Sequence, residues 1–210
     1  MDVYTTEEQQ VVAIKQWWRN NGKVVCLSVV TCLGSLYGWR YFQTEQETNR
    51  EQTSEIYNLV VSSLVAGDAN AEKKVATFID ERKKEEAYVS LASLQLAKFF
   101  VETNELSKAA EQFRVAQTSK NKMLNTIASF RLARVEAELK NFDTALQELN
   151  KITGESWTAQ VEELRGDIEL RKGDATAARS AYVASIAAAT NPVVQMKLDN
   201  LSPIRSDYDE

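Results

Sequence analysis

The amino-acid sequence predicts an all-α protein, in which one N-terminal transmembrane helix is followed by a solenoid of helical hairpins. Three observations lead to this prediction. Ala occurs 24 times against 7 Gly and 2 Pro, a composition that favours helices. A run of apolar residues near the N-terminus is long enough to cross a bilayer. The residues that follow repeat with a period close to that of a two-helix unit.

The composition also argues against several classes of function. The chain contains no His, which removes Ser-His-Asp triads and His metal ligands. Its two Cys cannot form a four-cysteine zinc site. With 25 Lys+Arg against 30 Asp+Glu, the formal net charge of −5 argues against a nucleic-acid-binding surface. No Gly-rich phosphate loop or G-x-S-x-G turn occurs, so we predict a non-enzymatic protein without catalytic residues, cofactor or metal.

The apolar run extends from Val24 to Trp39 without a charged residue. Continued to Phe42 it has 19 residues, and a helix of that length, at about 1.5 Å per residue, matches a hydrocarbon core of about 30 Å. We therefore predict a transmembrane signal anchor over residues 24–42. The alternatives are a buried core helix, a cleaved signal peptide and a lipid-modified Cys32. Bulky residues end the run, whereas a signal-peptide cleavage site needs small ones.

Basic residues predict the orientation of this anchor. Lys15, Arg19 and Lys23 precede it, whereas Arg40 and Arg50 follow it among several glutamates. Cytoplasmic flanks carry the excess of Lys and Arg, so we expect the N-terminus in the cytoplasm. In a bacterium the chain would then be a single-pass inner-membrane protein with its C-terminal domain in the periplasm.

Two polar segments flank the anchor. Residues 1–23 are predicted to be a cytoplasmic amphipathic segment, which Thr5 and Glu8 could begin as a capping box. Residues 43–54 are predicted to be a polar neck between the anchor and the exported domain.

A pair of glycines inside the anchor is a candidate interaction site. Gly34 and Gly38 stand four residues apart, so they share one face of a helix. Such a pair lets two membrane helices approach closely, although GxxxG pairs also occur by chance. We predict that this face packs against another membrane helix.

The chain after the neck repeats itself. Ala109, Ala145 and Ala178 stand 36 and 33 residues apart. This spacing is close to that of the 34-residue tetratricopeptide unit, which is a helical hairpin. Small residues at these positions let the two helices cross closely, and large residues fill the space between successive hairpins. One hairpin cannot bury its apolar face alone, so stability comes from stacking.

The repeat predicts a tetratricopeptide-like domain over residues 55–205, followed by a frayed tail over residues 206–210. In the third repeat, Arg165 stands where a large apolar residue is expected. Trp157 and the chain after Pro192 are predicted to close the C-terminal end. The predicted units are a degenerate hairpin over 55–83, repeats over about 90–123, 126–157 and 159–192, and a C-terminal cap that includes Leu198, Leu201 and Ile204.

The first helices of such hairpins line a concave groove, which can hold an extended chain. Carried over to this sequence, that rule predicts a partner groove with an apolar floor and a short basic row formed by Lys98 and Arg134. In the alternative interpretation the apolar residues pack between helices and the cations are solvated. The predicted groove residues are Leu91, Leu94, Lys98, Val101, Ile127, Phe130 and Arg134.

Short motifs in a fixed order carry a family resemblance. They are Glu7-Glu8-Gln9, Asn21-Gly22-Lys23, Gly38-Trp39-Arg40-Tyr41, and then the residues of 91–97, 104–110, 131–135, 164–167, 172–174 and 196–201. Together with the single N-terminal anchor, they resemble the YfgM family, the tetratricopeptide-like ancillary subunit of the bacterial SecYEG translocon. The resemblance covers nearly the whole chain.

The resemblance implies a set of partners that periodicity alone does not. Members of the family associate with the SecYEG translocon together with a PpiD-type membrane-anchored chaperone. They are thought to help pass emerging polypeptides to periplasmic chaperones. The alternative function is a self-assembling inner-membrane scaffold that organises the envelope. No catalytic residue, cofactor or nucleic-acid partner is implied.

Overall fold

The computed structural model describes residues 7–201, with side chains from Gln10 onward, and that range contains α-helices and no strand. The all-α prediction is confirmed. The chain divides into two units between Gln52 and Thr53, and α1 contributes residues to both. The helices are α1 (Glu7–Val65), α2 (Ala71–Glu81), α3 (Glu86–Glu102), α4 (Leu106–Ala116), α5 (Lys122–Glu138), α6 (Phe142–Asn150), α7 (Glu155–Lys172), α8 (Ala175–Ala188) and α9 (Pro192–Asn200).

The N-terminal unit is the part of α1 that carries the apolar run. In the described part of the chain, this is the one helix long and apolar enough to cross a membrane. Its apolar side chains are exposed, for example Leu27 and Leu33. The hydroxyls of Thr31 and Ser35 donate to backbone carbonyls one turn earlier, at 2.9 and 2.8 Å. These hydroxyls therefore have partners within the helix, as a hydrocarbon environment requires. Thr5 of the predicted capping box lies outside the described residues.

The second unit is built from antiparallel helical hairpins. The last turns of α1 pair with α2, and the next three hairpins are α3–α4, α5–α6 and α7–α8. The second helix of each hairpin also packs against the first helix of the next, so α4 contacts α5 and α6 contacts α7. This is the stacking that the sequence repeat predicts, and α9 packs against α8 at the C-terminal end of the array.

The four hairpin turns have the same backbone geometry. Gly67, Asn104, Lys140 and Gly173 each have a left-handed φ, of 70°, 59°, 63° and 99°. In each turn the N–H of the following residue donates to the carbonyl five residues earlier, at 2.7 to 3.1 Å. This hydrogen bond satisfies one of the last carbonyls of the first helix. The first hairpin is therefore degenerate in sequence but has the same turn as the others.

Small residues lie where the helices of a hairpin cross. Ala97, Ala109 and Ala116 are fully buried in the α3–α4 hairpin, as are Ala133 and Ala145 in α5–α6. Large apolar side chains fill the layers between hairpins, as the repeat predicts. The best buried of these are Phe100, Phe113, Leu96, Leu132, Leu149, Ile168 and Tyr182.

The α7–α8 hairpin departs from the pattern. Arg165 stands 33 residues after the buried Leu132 but stays partly exposed, and its guanidinium donates to Glu162 and Asn150 at 3.2 and 3.0 Å. Leu164, one residue earlier, is buried in its place. At the crossing of α7 and α8, Gly166 lies directly against the ring of Tyr182, where a Cβ would overlap with ring carbons.

At the C-terminal end, Leu198 and Leu201 pack against the buried residues of α8 and α9, while Ile204 and residues 206–210 lie outside the described part of the chain. The prediction that Trp157 closes this end is wrong. Its side chain belongs to the first turns of α7 and packs on Phe130, at 5.5 Å between ring centroids, so it lies between the α5–α6 and α7–α8 hairpins.

Polar contacts tie neighbouring helices and hairpins together. The buried carboxylate of Glu136 accepts hydrogen bonds from Arg114 and, at 2.8 Å, from Asn141. Gln117 donates to Ser129 at 2.8 Å and to Glu148 at 2.6 Å, which ties α4 to α5 and α6. Exposed ion pairs join residues about one repeat apart and are Lys108–Glu72 (3.3 Å), Lys120–Glu86 (2.8 Å) and Arg171–Glu138 (2.7 Å).

Candidate protein-binding groove

The first helices of the hairpins are neighbours in the structure. α5 contacts both α3 and α7. α9 lies beside α7, because Lys197 Nζ is 3.0 Å from Glu163 and 2.8 Å from Asp167. We call the side formed by α3, α5, α7 and α9 the first-helix surface. Because the hairpins repeat, this surface presents one helix per hairpin to a partner.

The apolar residues predicted for the partner groove contribute mainly to packing. Leu94 and Phe130 are buried, with 7% and 9% of their surface exposed. Leu91 and Ile127 are half-buried, and Ile127 packs against the core formed by α1 to α5. These four side chains therefore offer little exposed surface to a partner in the folded repeat domain.

The remaining predicted residues are exposed. Val101 is 41% exposed near the end of α3. Lys98 Nζ lies 3.6 Å from Glu102 on the same helix, so part of its charge is neutralised. The guanidinium of Arg134 lies over the ring of Phe130, at 4.8 Å from the ring centroid. Across residues 7–201, the structure shows no acidic side chain within salt-bridge distance of Arg134.

A groove of about 530 Å³ lies between α5 and α7 on the first-helix surface. Of the seven predicted groove residues, Arg134 lines this α5–α7 groove. Its floor is apolar and formed by Ala137, Leu164 and Ile168, all buried. The residues around its rim are Arg134, Glu138, Gln160, Glu163, Asp167, Leu170 and Arg171.

Most charges around the α5–α7 groove are paired. Arg171 donates to both carboxylate oxygens of Glu138, at 2.7 and 3.2 Å. Lys197 pairs with both Glu163 and Asp167, so its single positive charge offsets one of the two carboxylates. Arg134 is therefore the lining cation whose guanidinium remains available to a partner.

Aromatic packing sets the position of Arg134. The ring of Phe130 contacts the guanidinium of Arg134 and also packs against the ring of Trp157. A cation over an aromatic face is attracted by the ring quadrupole, so this stack holds the guanidinium at the rim. The sequence did not reveal the contact, because Trp157 comes from the next hairpin. A large aromatic residue at the start of the next hairpin was the available signal.

The C-terminal side of the groove is held by a buried hydrogen-bond cluster. Tyr182 Oη donates to Asp167 at 2.8 Å, and Lys197 donates to the same carboxylate. Burial raises the pKa of Tyr182 above its usual 10.0, and the hydrogen bond to Asp167 raises it further. Burial lowers the pKa of Lys197, but hydrogen bonds to Asp167 and Glu163 outweigh it and raise that pKa overall. The cluster joins α7, α8 and α9.

A second groove, of about 920 Å³, lies between the last turns of α1 and α2. Val60 and Phe78 are buried at its floor, and Leu59 is 71% exposed at its edge. The sequence does not indicate this groove, because the repeat pattern is degenerate in the α1–α2 hairpin.

The chemistry of these grooves is that of non-covalent binding. In the part of the chain that the structure describes, no group of three or more His, Cys, Asp or Glu side chains could hold a metal ion. The α5–α7 groove combines an apolar floor with one available guanidinium. An apolar segment with an acidic group fits such a surface.

The fold defines a class of protein, the helical-repeat proteins. Residues 15–203 match the family model described as a tetratricopeptide repeat-like domain. The chain is 39% identical over 208 residues to the ancillary SecYEG translocon subunit of Escherichia coli (strain K12), covering 96% of this chain and 100% of the relative.

Two further relatives carry the same name. The Haemophilus influenzae protein is 32% identical over 199 residues, covering 93% of this chain and 97% of the relative. The protein of Buchnera aphidicola subsp. Acyrthosiphon pisum is 24% identical over 171 residues, covering 79% of this chain and 86% of the relative. The chain belongs to this family, the YfgM family, as its motifs indicated.

Proposed function

We propose that the chain is a non-catalytic, membrane-anchored ancillary subunit of the SecYEG translocon. The observation that carries the proposal is the 39% identity along the full length of a relative with that name. The single candidate membrane helix in residues 7–201 fits an inner-membrane protein. A tetratricopeptide-like domain fits binding to other proteins.

The proposed topology places the N-terminus in the cytoplasm and the repeat domain in the periplasm. It is supported by Lys15, Arg19 and Lys23 before the apolar run. Protease added to spheroplasts is expected to digest the C-terminal domain and to leave a small protected N-terminal fragment. Full protection while the inner membrane is intact would contradict this topology.

The membrane helix is the proposed contact with the translocon. A translocon is a bundle of membrane helices, so an accessory protein reaches it most directly through its own span. At Gly34 and Gly38, no heavy atom of another part of the chain lies within 4 Å of the position of a Cβ. This open face of small residues suits close approach of a second helix.

The repeat domain is the proposed contact with emerging polypeptides and periplasmic chaperones, including a PpiD-type membrane-anchored chaperone. The supporting observation is the α5–α7 groove, whose floor is apolar and whose rim is charged. Apolar contacts can form with polypeptides of many different sequences, which suits a protein that meets many different chains. The groove residues predicted from sequence, with Arg134 foremost, belong to this proposal.

Co-purification in mild detergent tests the division between span and repeat domain. Replacement of residues 24–39 by an unrelated membrane span is expected to weaken recovery of SecYEG while the repeat domain stays folded. The matched change, Arg134→Glu, is expected to keep SecYEG recovery and to reduce photocrosslinks to periplasmic partners. If the unrelated span recovers SecYEG equally well, the proposed contact is wrong. If the full-length protein recovers mainly itself, the scaffold alternative is favoured.

A further inference from the structure

We propose that the α5–α7 groove selects an acidic side chain of the bound polypeptide, with Arg134 as the residue that binds its carboxylate. The inference rests on the proposed function and specifies the polypeptide that the repeat domain prefers. That polypeptide is an extended segment in which Asp or Glu has apolar residues two positions away on either side.

The first argument is the charge that the groove leaves available. Arg171 pairs with Glu138, and Lys197 pairs with both Glu163 and Asp167. Two cations therefore face three carboxylates, and Arg134 balances the remaining negative charge, so the rim as a whole does not repel a carboxylate that reaches Arg134. Arg134 lines the same groove without an acidic partner among the described residues. A carboxylate is the group that a free guanidinium binds best, through two parallel hydrogen bonds.

The second argument is the position of the guanidinium. It lies 4.8 Å from the centroid of the Phe130 ring, and Phe130 in turn packs on Trp157 at 5.5 Å. Contact with the ring restricts the long side chain of Arg134 before a partner arrives. A positioned donor loses less conformational entropy on binding than a mobile one. Lys98, the other predicted cation, has no such support and lies beside Glu102.

The third argument is the apolar contact available beside Arg134. Leu170 is 42% exposed at the rim of the same groove, whereas Leu164 and Ile168 in its lining are buried. In an extended chain, residues i and i+2 point to the same side. A segment that presents a carboxylate to Arg134 therefore presents the side chains two residues away to the same groove, where Leu170 is exposed.

Fluorescence anisotropy with defined peptides tests the inference on the full-length protein in detergent. The probes are two labelled ten-residue peptides with leucines two positions on either side of a central residue, which is Glu in one and Gln in the other. At low salt we expect the wild-type protein to bind the Glu peptide about tenfold more tightly, close to 1.4 kcal/mol. Because the preference is electrostatic, it is expected to shrink at high salt.

Three variants locate the preference. Arg134→Gln is expected to bind both peptides equally. Arg131→Gln removes the same charge from the same helix, at an exposed position that does not line the groove, and is expected to keep the preference. Arg134→Lys is expected to keep part of it, since the charge remains but the two-pronged geometry is lost. Circular dichroism of each variant reports whether the fold is intact.

The outcomes separate this inference from the proposed function. Equal affinity of the wild-type protein for both peptides, or a preference that survives Arg134→Gln, would overturn the role of Arg134. SecYEG recovery that stays normal in that case would leave the proposed function in place. A loss of SecYEG recovery by the wild-type protein would contradict the proposed function instead.

Discussion

Lys140 adopts, in the turn of the α5–α6 hairpin, the left-handed backbone conformation that Gly173 adopts in the turn of the α7–α8 hairpin. Their φ angles are 63° and 99°, and the residue after each donates to a carbonyl five residues earlier, at 2.8 and 2.9 Å. Glycine enters this region without a Cβ clash, whereas a lysine does so at a cost in backbone energy. The α5–α6 turn therefore carries backbone strain at Lys140 that glycine avoids in the α7–α8 turn.

This relationship predicts that Lys140→Gly stabilises the repeat domain. We expect a gain of about 1 kcal/mol, since the unfavourable left-handed conformation of a non-glycine residue costs about that much. Lys140→Ala is the matched control, because alanine keeps the Cβ and loses only the exposed side chain. Urea unfolding of the two variants measures the effect. If Lys140→Ala stabilises the domain as much as Lys140→Gly, backbone strain is not the cause.

The close contact of Gly166 with Tyr182 predicts that Gly166→Ala destabilises the α7–α8 hairpin. The added Cβ would overlap the tyrosine ring, and overpacking of this kind costs about 1–3 kcal/mol. Combined with Tyr182→Val, which removes the ring, the change is expected to cost less than the sum of the two single changes. Thermal unfolding of the four proteins gives this coupling. Strict additivity would show that the two residues do not meet.

The buried carboxylate of Glu136 predicts a large effect of Arg114→Ala. Glu136 is only 1% exposed, so removal of Arg114 leaves a buried charge that keeps the hydrogen bond from Asn141. The expected cost is roughly 3 kcal/mol, measured by urea unfolding. In the Arg114→Ala background, Glu136→Gln is expected to restore stability, because glutamine carries no charge. Lys120→Ala, which breaks an exposed pair, serves as the comparison and is expected to cost within about 0.5 kcal/mol.

The cluster of Tyr182, Asp167 and Lys197 predicts a loss of stability in alkali. The pKa of Tyr182 and the pKa of Lys197 are both higher in the folded protein than their usual 10.0 and 10.5. Their contributions are therefore complete below about pH 10 and are lost as the pH rises above it. The midpoint of urea unfolding is expected to fall above pH 10. Tyr182→Phe is expected to lose about 1 kcal/mol at pH 7 and to show a smaller alkaline loss. An identical pH profile in wild type and variant would contradict the role of Tyr182.

The spacing of small residues was sufficient to predict the register of the repeats. Ala109, Ala145 and Ala178 are fully buried at helix crossings, because a close crossing tolerates only small side chains and leaves a strong trace in the sequence. The turns were harder to predict. Asn104 and Lys140 occupy positions that glycine fills elsewhere, so the common turn geometry is hidden in two of the four hairpins.

The partner groove could be predicted only in part. Periodicity placed Leu94 and Phe130 on the correct helices, but their burial depends on the rotation of each helix and on its neighbours. Trp157 covers Phe130 from a helix that follows by about one repeat, and no local pattern encodes that contact. The pairing of Arg171 with Glu138 likewise depends on how α5 and α7 stack, and it is this pairing that distinguishes Arg134 from the other cations.

The ion pairs between neighbouring hairpins have a consequence for how the domain folds. Lys108 with Glu72, Lys120 with Glu86 and Arg171 with Glu138 join residues 36, 34 and 33 positions apart. A chain whose distant contacts span about one repeat closes only short loops, which keeps the entropic barrier low and folding fast. Each hairpin can dock as soon as its own second helix has formed, without waiting for the C-terminus. The domain is therefore suited to fold progressively, from Thr53 onward, while the rest of the chain is still being made.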